Sequence, residues 1–219
     1  MEIDVFYDIV CPWCYIGKRR LAQALARRPG ARPEIHWRAF LLNPNMPAEG
    51  VERDLYLIRK FGSESRIRRV QGTLLEAGQS VEIPFAFDRI RRTPNSVNAH
   101  RLAFFAEREG RAEAAVEALF RAFFLDGRDI GDCRVLADIG AENGLARAEV
   151  ARYLAGAEDA ARVNEENGRA HRLGINGVPS FVFNRRFVIS GAQDPQVLAR
   201  IVDAAVATGD AAEATGDAA

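Results

Sequence analysis

Apolar and polar residues alternate along Ile3-Asp4-Val5-Phe6-Tyr7-Asp8, the period-two pattern of a strand over residues 2–8. The spacing then lengthens. Ile16, Leu21 and Leu25, with Arg and Lys between them, predict a helix over roughly 12–28 that stops at Pro29-Gly30. A second alternation, through Ile35, Trp37, Ala39 and Leu41, predicts a strand over 33–42, and the turn-rich segment Asn43-Pro44-Asn45-Met46-Pro47 closes it.

From about residue 50 to 172 the periodicity is mostly helical. Leu55, Ile58 and Phe61 mark one helix ending at Gly62, and Ile67, Val70, Leu74 and Leu75 mark another ending at Gly78. Val81–Phe87 reads as a short extended piece. Helices are expected over Ser96–Glu109, Ala112–Leu125, Cys133–Asn143, Ala148–Leu154 and Glu158–Arg172. Strand chemistry then returns. Pro179–Asn184 and Arg186–Ser190 flank the hairpin signal Asn184-Arg185. A last helix, Pro195–Val206, begins with Asp194 as a plausible N-cap and Pro195 in its first turn. The tail repeats Ala-Thr-Gly-Asp-Ala-Ala and is expected to be disordered or frayed over 208–219. The plan is α/β: strand, helix and strand, then a helical insertion, then helix, hairpin and helix. Residues 1–48 and 160–207 would share one sheet-containing domain, and 49–159 would form the inserted helical subdomain.

At 48% hydrophobic and 27% charged residues the composition is that of an ordinary globular chain. Thirty basic residues balance thirty acidic ones, so no global field directs the chain to nucleic acid or to a membrane surface. Lysine is confined to Lys18 and Lys60. The N-terminus has neither a basic segment nor an apolar run of signal-peptide form, and no stretch approaches a membrane span, so a cytoplasmic location is expected.

The chemistry concentrates in Cys11-Pro12-Trp13-Cys14, where the first strand hands over to the first helix. A helix N-terminus presents unpaired N–H groups and the positive end of the dipole, which favour a thiolate. Pro12 suits the first helical turn, where a missing N–H is harmless. Three readings of the pair are open. It is a redox motif, half of a zinc site, or two inert thiols at a helix end. A zinc site needs two further ligands, and Cys133, His36, His100 and His171 offer no second CxxC or HxxxH. The strand–helix context, and the reducing cytoplasm expected around it, favour redox chemistry.

Four segments together resemble the DsbA family of thiol–disulfide oxidoreductases, and within it the FrnE-like branch. They are Asp8–Gly17, Pro94–Leu102, Gly174–Phe183 and Ile189–Gln193. The resemblance implies a thioredoxin-like fold with an inserted α-helical subdomain and no cofactor. It implies that Cys11 is the more exposed nucleophile and Cys14 the resolving thiol, with Pro12 and Trp13 tuning the pair and Trp13 offering an apolar contact to substrate. It also implies that Val178-Pro179 is a cis dipeptide packed beside the cysteines, where an extended substrate can pair with it. From the residues alone Val178-Pro179 would be an ordinary turn. The partners implied are protein or low-molecular-weight thiols and disulfides, glutathione among them.

The related 2-hydroxychromene-2-carboxylate isomerases and kappa-class glutathione transferases resemble this chain through the same insertion and cis-Pro loop, which makes a glutathione-dependent isomerase or transferase the alternative. They carry Ser where this chain has Cys11, so the retained Cys11–Cys14 pair argues against it. A non-catalytic docking or chaperone module is a third class. Val97, His100 and Phe104 share a helical face. His100 is expected to be a partly buried structural residue, and the Asn95–His100 stretch to form one wall of a cleft over Cys11. Cys133 reads as a half-buried residue at a helix start, without a redox partner.

Overall fold

The alternation of residues 2–8 becomes β1 (Glu2–Tyr7), five of whose six residues are buried. A strand covered on both faces needs apolar or paired side chains throughout, and Asp4 meets that requirement through Arg38 Nε at 2.7 Å. In the computed structural model, which describes residues 1–216, β1 is a central strand of a four-stranded sheet. The other strands are β2 (Glu34–Ala39), β5 (Ser180–Phe183) and β6 (Phe187–Ser190), in the order β2-β1-β5-β6. β1 runs parallel to β2, pairing Val5 with Trp37, and antiparallel to β5, pairing Val5 with Phe181. The parallel pair needs a crossover, supplied by α1 (Pro12–Ala26). The antiparallel pair β5–β6 needs only a turn. Asn184 and Arg185 supply it with positive φ, and the Arg186 N–H donates to the Phe183 carbonyl. The Asn184 side chain also ties this turn down, accepting from Glu2 N and donating to the Ala205 carbonyl.

Between the two strand pairs lie α2 (Arg53–Phe61), α3 (Glu64–Gln79), α4 (Val97–Arg108), α5 (Ala112–Phe124), α6 (Cys133–Glu142) and α7 (Arg147–Ala155). α8 (Ala160–Arg172) then returns to the sheet and α9 (Pro195–Gly216) closes against α1. This is the DsbA-like thioredoxin fold with a helical insertion. One apolar core runs through both parts, from Ile3, Val5 and Phe181 in the sheet to Leu102, Val116 and Phe120 in the helices. Tyr15 of α1 stacks on Phe120 of α5 at 5.0 Å between ring centroids. Beside them Lys18 reaches Glu113 and Glu117 at 2.5 and 2.9 Å, so α1 is bound to the insertion by both burial and charge.

Three elements differ from the sequence pattern. Val81–Phe87 is not a strand. It leaves α3 by a turn, buries Val81, Ile83 and Phe85 as separate anchors, and enters a 3-10 turn at Phe87–Arg89. A two-residue ladder, β3 (Val51–Glu52) with β4 (Arg92–Thr93), pins the start of α2. It is too short to show a period. The final helix continues past Val206 through the Ala-rich repeat to Gly216, in keeping with the high helix propensity of alanine. Residues 217–219 of the expected tail lie outside the described residues.

Candidate active site

The junction of β1 and α1 is built by backbone chemistry. The Cys11 N–H donates to the Asp8 carbonyl at 3.0 Å, and the Cys14 N–H donates to the Cys11 carbonyl at 3.0 Å. Cys11 is thereby the N-cap of α1, in extended conformation, with Pro12 at the first helical position. Its side chain caps nothing. Its sulfur faces the Val178 carbonyl oxygen at 3.7 Å instead. The Val178–Pro179 peptide bond is cis. Both cysteines are buried: Cys11, expected to be the more exposed, is 5% exposed, and Cys14, one turn into the helix, is 2% exposed. Burial pushes its thiol well above the ordinary value, and the hydrogen bond and charge of neighbouring Cys11 act in the same direction. Both thiols are free.

Gly17 fixes how closely the helix meets the Pro179 loop. A Cβ at this position would lie 2.8 Å from Pro179 Cγ and 3.3 Å from Phe181. No residue larger than glycine lets α1 sit this near the segment that faces Cys11. A glycine inside a helical pattern is a sequence signal of close approach, although periodicity alone does not say to what.

The structure brings Cys11, Cys14, Val178 and Pro179 together. Pro12, next to Cys11 in the chain, lines a cleft together with Val10, and neither cysteine lines it. Trp13 is half-buried and packs against the main core, and it does not line that cleft. The wall facing Pro12 is formed by α2, through Arg53, Tyr56, Leu57 and Lys60, and by α3, through Ile67, Val70 and Leu74, rather than by the Asn95–His100 stretch. His100 is fully buried below the site. Its Nε2 lies 3.6 Å from Asp8 Oδ1, and its ring meets Tyr7 edge-on at 5.0 Å. Neither ring nitrogen has a hydrogen-bond partner, while the Asp8 carboxylate also accepts from the N–H groups of Val10 and Leu42. Asp8 thus holds the loop preceding Cys11, a role hidden in the sequence because a polar residue after a strand reads as the start of a turn.

The other candidates lie elsewhere. Cys133 begins α6 and accepts from Asn98 Nδ2 at 3.4 Å. His36 stands 3.8 Å from Glu34, and His171 stands 3.4 Å from Asn176. Among the described residues no group of three or more His, Cys, Asp or Glu side chains is placed to hold a metal ion. No helix among them is long and apolar enough to cross a membrane.

A thioredoxin-type sheet with paired cysteines at the N-terminus of its first helix defines a thiol–disulfide oxidoreductase in the general sense. The chain belongs to the DSBA-like thioredoxin domain family, whose model matches residues 2–203. It is similar to a probable DsbA oxidoreductase from Streptomyces coelicolor. The two share 31% identity with a TM-score of 0.86, over 94% of this chain and 90% of that one. The cytosolic disulfide reductase DsbM from Pseudomonas aeruginosa, solved with GSH, shares 23% identity and a TM-score of 0.69 over 94% of this chain and 99% of that one. A 2-hydroxychromene-2-carboxylate isomerase shares 18% identity and a TM-score of 0.69 over the full length of both. At these lower identities the last two show a common fold.

Proposed function

We propose that the protein exchanges a Cys11–Cys14 disulfide with thiols and disulfides of proteins or small molecules, glutathione among them, as a cytoplasmic member of the FrnE-like branch. The observation that carries this reading is the asymmetry of the pair. Cys11 sits at a helix N-terminus against the Val178 carbonyl, and Cys14 is buried one turn behind it with its proton held. In the reductive direction the Cys11 thiolate attacks one sulfur of a substrate disulfide. A Cys11–substrate disulfide forms and the other substrate sulfur leaves as a thiolate. Cys14 then gives up its proton, its sulfur attacks Cys11, and the second substrate thiolate leaves. Two electrons pass from the protein dithiol to the substrate, and the reverse sequence oxidises a dithiol. Burial keeps Cys14 protonated until the second step, which leaves Cys11 as the first nucleophile. A reducing compartment suits a CxxC used for exchange rather than as a staple. Val178, whose carbonyl faces the Cys11 sulfur, and Pro179 supply the backbone edge against which an extended substrate would lie, and Pro12 and Trp13 tune the pair. The isomerase alternative is supported by fold likeness alone, and the retained cysteine pair speaks against it.

The test is a trap. Cys14→Ser protein should accumulate mixed disulfides through Cys11, which reductant reverses. Cys11→Ser protein should accumulate none. In the reduced native protein Cys11 should alkylate at least about ten times faster than Cys14. Equal alkylation rates, or equal trapping by the two variants, would defeat the assignment of roles.

A further inference from the structure

The cleft that starts at Val10 and Pro12 runs between α2 and α3 and ends on two cations, Arg53 and Lys60, with Tyr56 between them and Phe87 on the apolar side. Neither cation is neutralised by the protein. Arg53 donates through Nη1 to the Thr93 hydroxyl at 3.0 Å, while its Nε is covered by protein atoms and has no hydrogen-bond partner. Lys60 Nζ donates to the Tyr56 hydroxyl at 3.0 Å, and that hydroxyl donates to Asn43 Oδ1 at 3.0 Å, a chain of donors that contains no carboxylate. The Asn43 Nδ2 behind it is also buried without a partner. Asp54 on the same helix acts on Arg53 only through its field. Lys60 is exposed, but for the half-buried Arg53 the lack of a paired anion is unfavourable unless something supplies the charge. Apart from Tyr56, Gln71 and Thr93 the remaining lining is apolar, and there a charge-assisted hydrogen bond is stronger than on an open surface.

We propose that this cleft is the carboxylate subsite of the thiol-exchange centre. On this view the preferred small-molecule substrates are thiols and disulfides that carry a carboxylate, held by Arg53 and Lys60 while their sulfur lies at Cys11. The inference rests on the exchange reading above and narrows its substrate class. The chain as a whole has no net charge, so a preference for anionic substrates would report local cations rather than long-range attraction.

The test compares three small disulfides as oxidants of the reduced protein: dithiodipropionate (anionic), hydroxyethyl disulfide (neutral) and cystamine (cationic). Each rate is divided by the rate of the same disulfide with dithiothreitol, which removes intrinsic reactivity. The wild-type protein should favour dithiodipropionate over hydroxyethyl disulfide by about tenfold, and cystamine should be slowest. Lys60→Gln, at an exposed position, should lower the anionic-to-neutral ratio about threefold. Arg53→Gln should bring it to within about a factor of two of unity. No anionic preference in the wild type, or a ratio that neither variant moves, overturns the subsite. If Arg53→Gln fails to fold, Lys60→Gln alone decides. A wild-type protein that exchanges with none of the disulfides overturns the function rather than the subsite. NMR titration with methylthiopropionate, which has the carboxylate but no reactive sulfur, then decides the subsite. Binding weakened about threefold by Lys60→Gln upholds it, and no binding overturns it.

Discussion

Arg101 and Arg53 are both carried by helices of the insertion, and the protein treats them in opposite ways. Arg101 is 3% exposed, and every nitrogen of its guanidinium is used. Nε donates to the Glu158 carbonyl at 2.6 Å, and Nη2 donates to the carbonyls of Tyr153 and Gly156 at 2.7 and 2.8 Å. Nη1 donates to Asn98 Oδ1 and the Leu154 carbonyl. These carbonyls cluster at the C-terminal end of α7, where orphan acceptors and the negative end of the dipole favour a cation. Arg53 has one side-chain hydrogen bond and an orphan Nε. The same contrast separates their surroundings. Around Arg101 the chain has satisfied its own polar groups. Around the β1–α1 junction it has left an unpartnered imidazole, two free thiols and an under-paired guanidinium. The first region holds shape, and the second leaves polar groups that the chain itself does not pair.

The largest effect expected from this contrast is on stability. Arg101→Met removes a buried cation from a full set of acceptors, and several main-chain carbonyls lose their donor. A loss of about 3–5 kcal/mol in denaturant unfolding is expected, with the exchange rate per folded molecule kept. A loss below about 1 kcal/mol would mean that the carbonyls find other donors and that the clamp is dispensable.

Gly17→Val probes the boundary between the two regions. The new side chain meets Pro179 and Phe181, so α1 or the Pro179 loop must shift. Overpacking of this kind costs about 1–3 kcal/mol. Because the displaced segment is the one facing Cys11, the exchange rate should fall even at temperatures where the variant is fully folded. Lost stability with an unchanged rate would show that Pro179 serves packing only.

How much of this was legible beforehand depended on the length of the signal. β1, α1 and the β5–β6 hairpin could be read because alternation, helical spacing and the Asn184-Arg185 turn each extend over several residues or rest on special backbone chemistry. Cys11 and Cys14 could be read because their spacing is chemical rather than periodic. The β3–β4 ladder has two residues per strand and no period to detect. Val81–Phe87 alternates like a strand because three separate anchors happen to fall on alternate positions. The Ala-Thr-Gly-Asp repeat looked too polar and too small to order, yet its alanines carry α9 onward to Gly216. The cleft wall expected from the Asn95–His100 stretch is formed by α2 and α3 instead. The face of Val97, His100 and Phe104 does turn inward, but into the core beneath Asp8. α2 and α3 instead leave Leu55, Ile58 and Leu75 exposed. Nothing in their pattern announces that Arg53 and Lys60 meet Pro12, since that meeting is made by tertiary packing.

A smaller effect concerns pH. The Cys14 thiol holds its proton in the native state at pH values where the unfolded chain has lost it. Its contribution to stability is therefore complete below the unfolded value of about 8.5 and is lost as pH rises toward the native one. The reduced protein should keep a flat Tm between about pH 6 and 8. Above that it should lose up to about 1.4 kcal/mol per pH unit from this group. Tyr15, pushed to about 12 by burial, adds a second loss of the same sign above about pH 10. Cys14→Ser should remove the first loss and leave the second. If the reduced wild type and Cys14→Ser fall together from pH 8.5, the buried-thiol account of the pair fails.

The smallest expected effect bears most directly on the two arginines. Arg53→Met keeps most of the side chain's length and removes a charge that burial already disfavours, as the lowered pKa of its guanidinium indicates. What is lost is one hydrogen bond to Thr93 and contact with Tyr56. What is relieved is the desolvation of an incompletely paired cation, and apolar replacement of such groups is often neutral or stabilising. The stability of this variant should lie within about 1 kcal/mol of the wild type, against the several lost at Arg101. The two substitutions, measured side by side in the same denaturant, therefore separate a cation that the fold uses from one that the fold tolerates. A loss at Arg53 comparable to that at Arg101 would make both arginines braces. Its orphan Nε would then be an imperfection of packing rather than a mark of a cation that the fold leaves for a substrate.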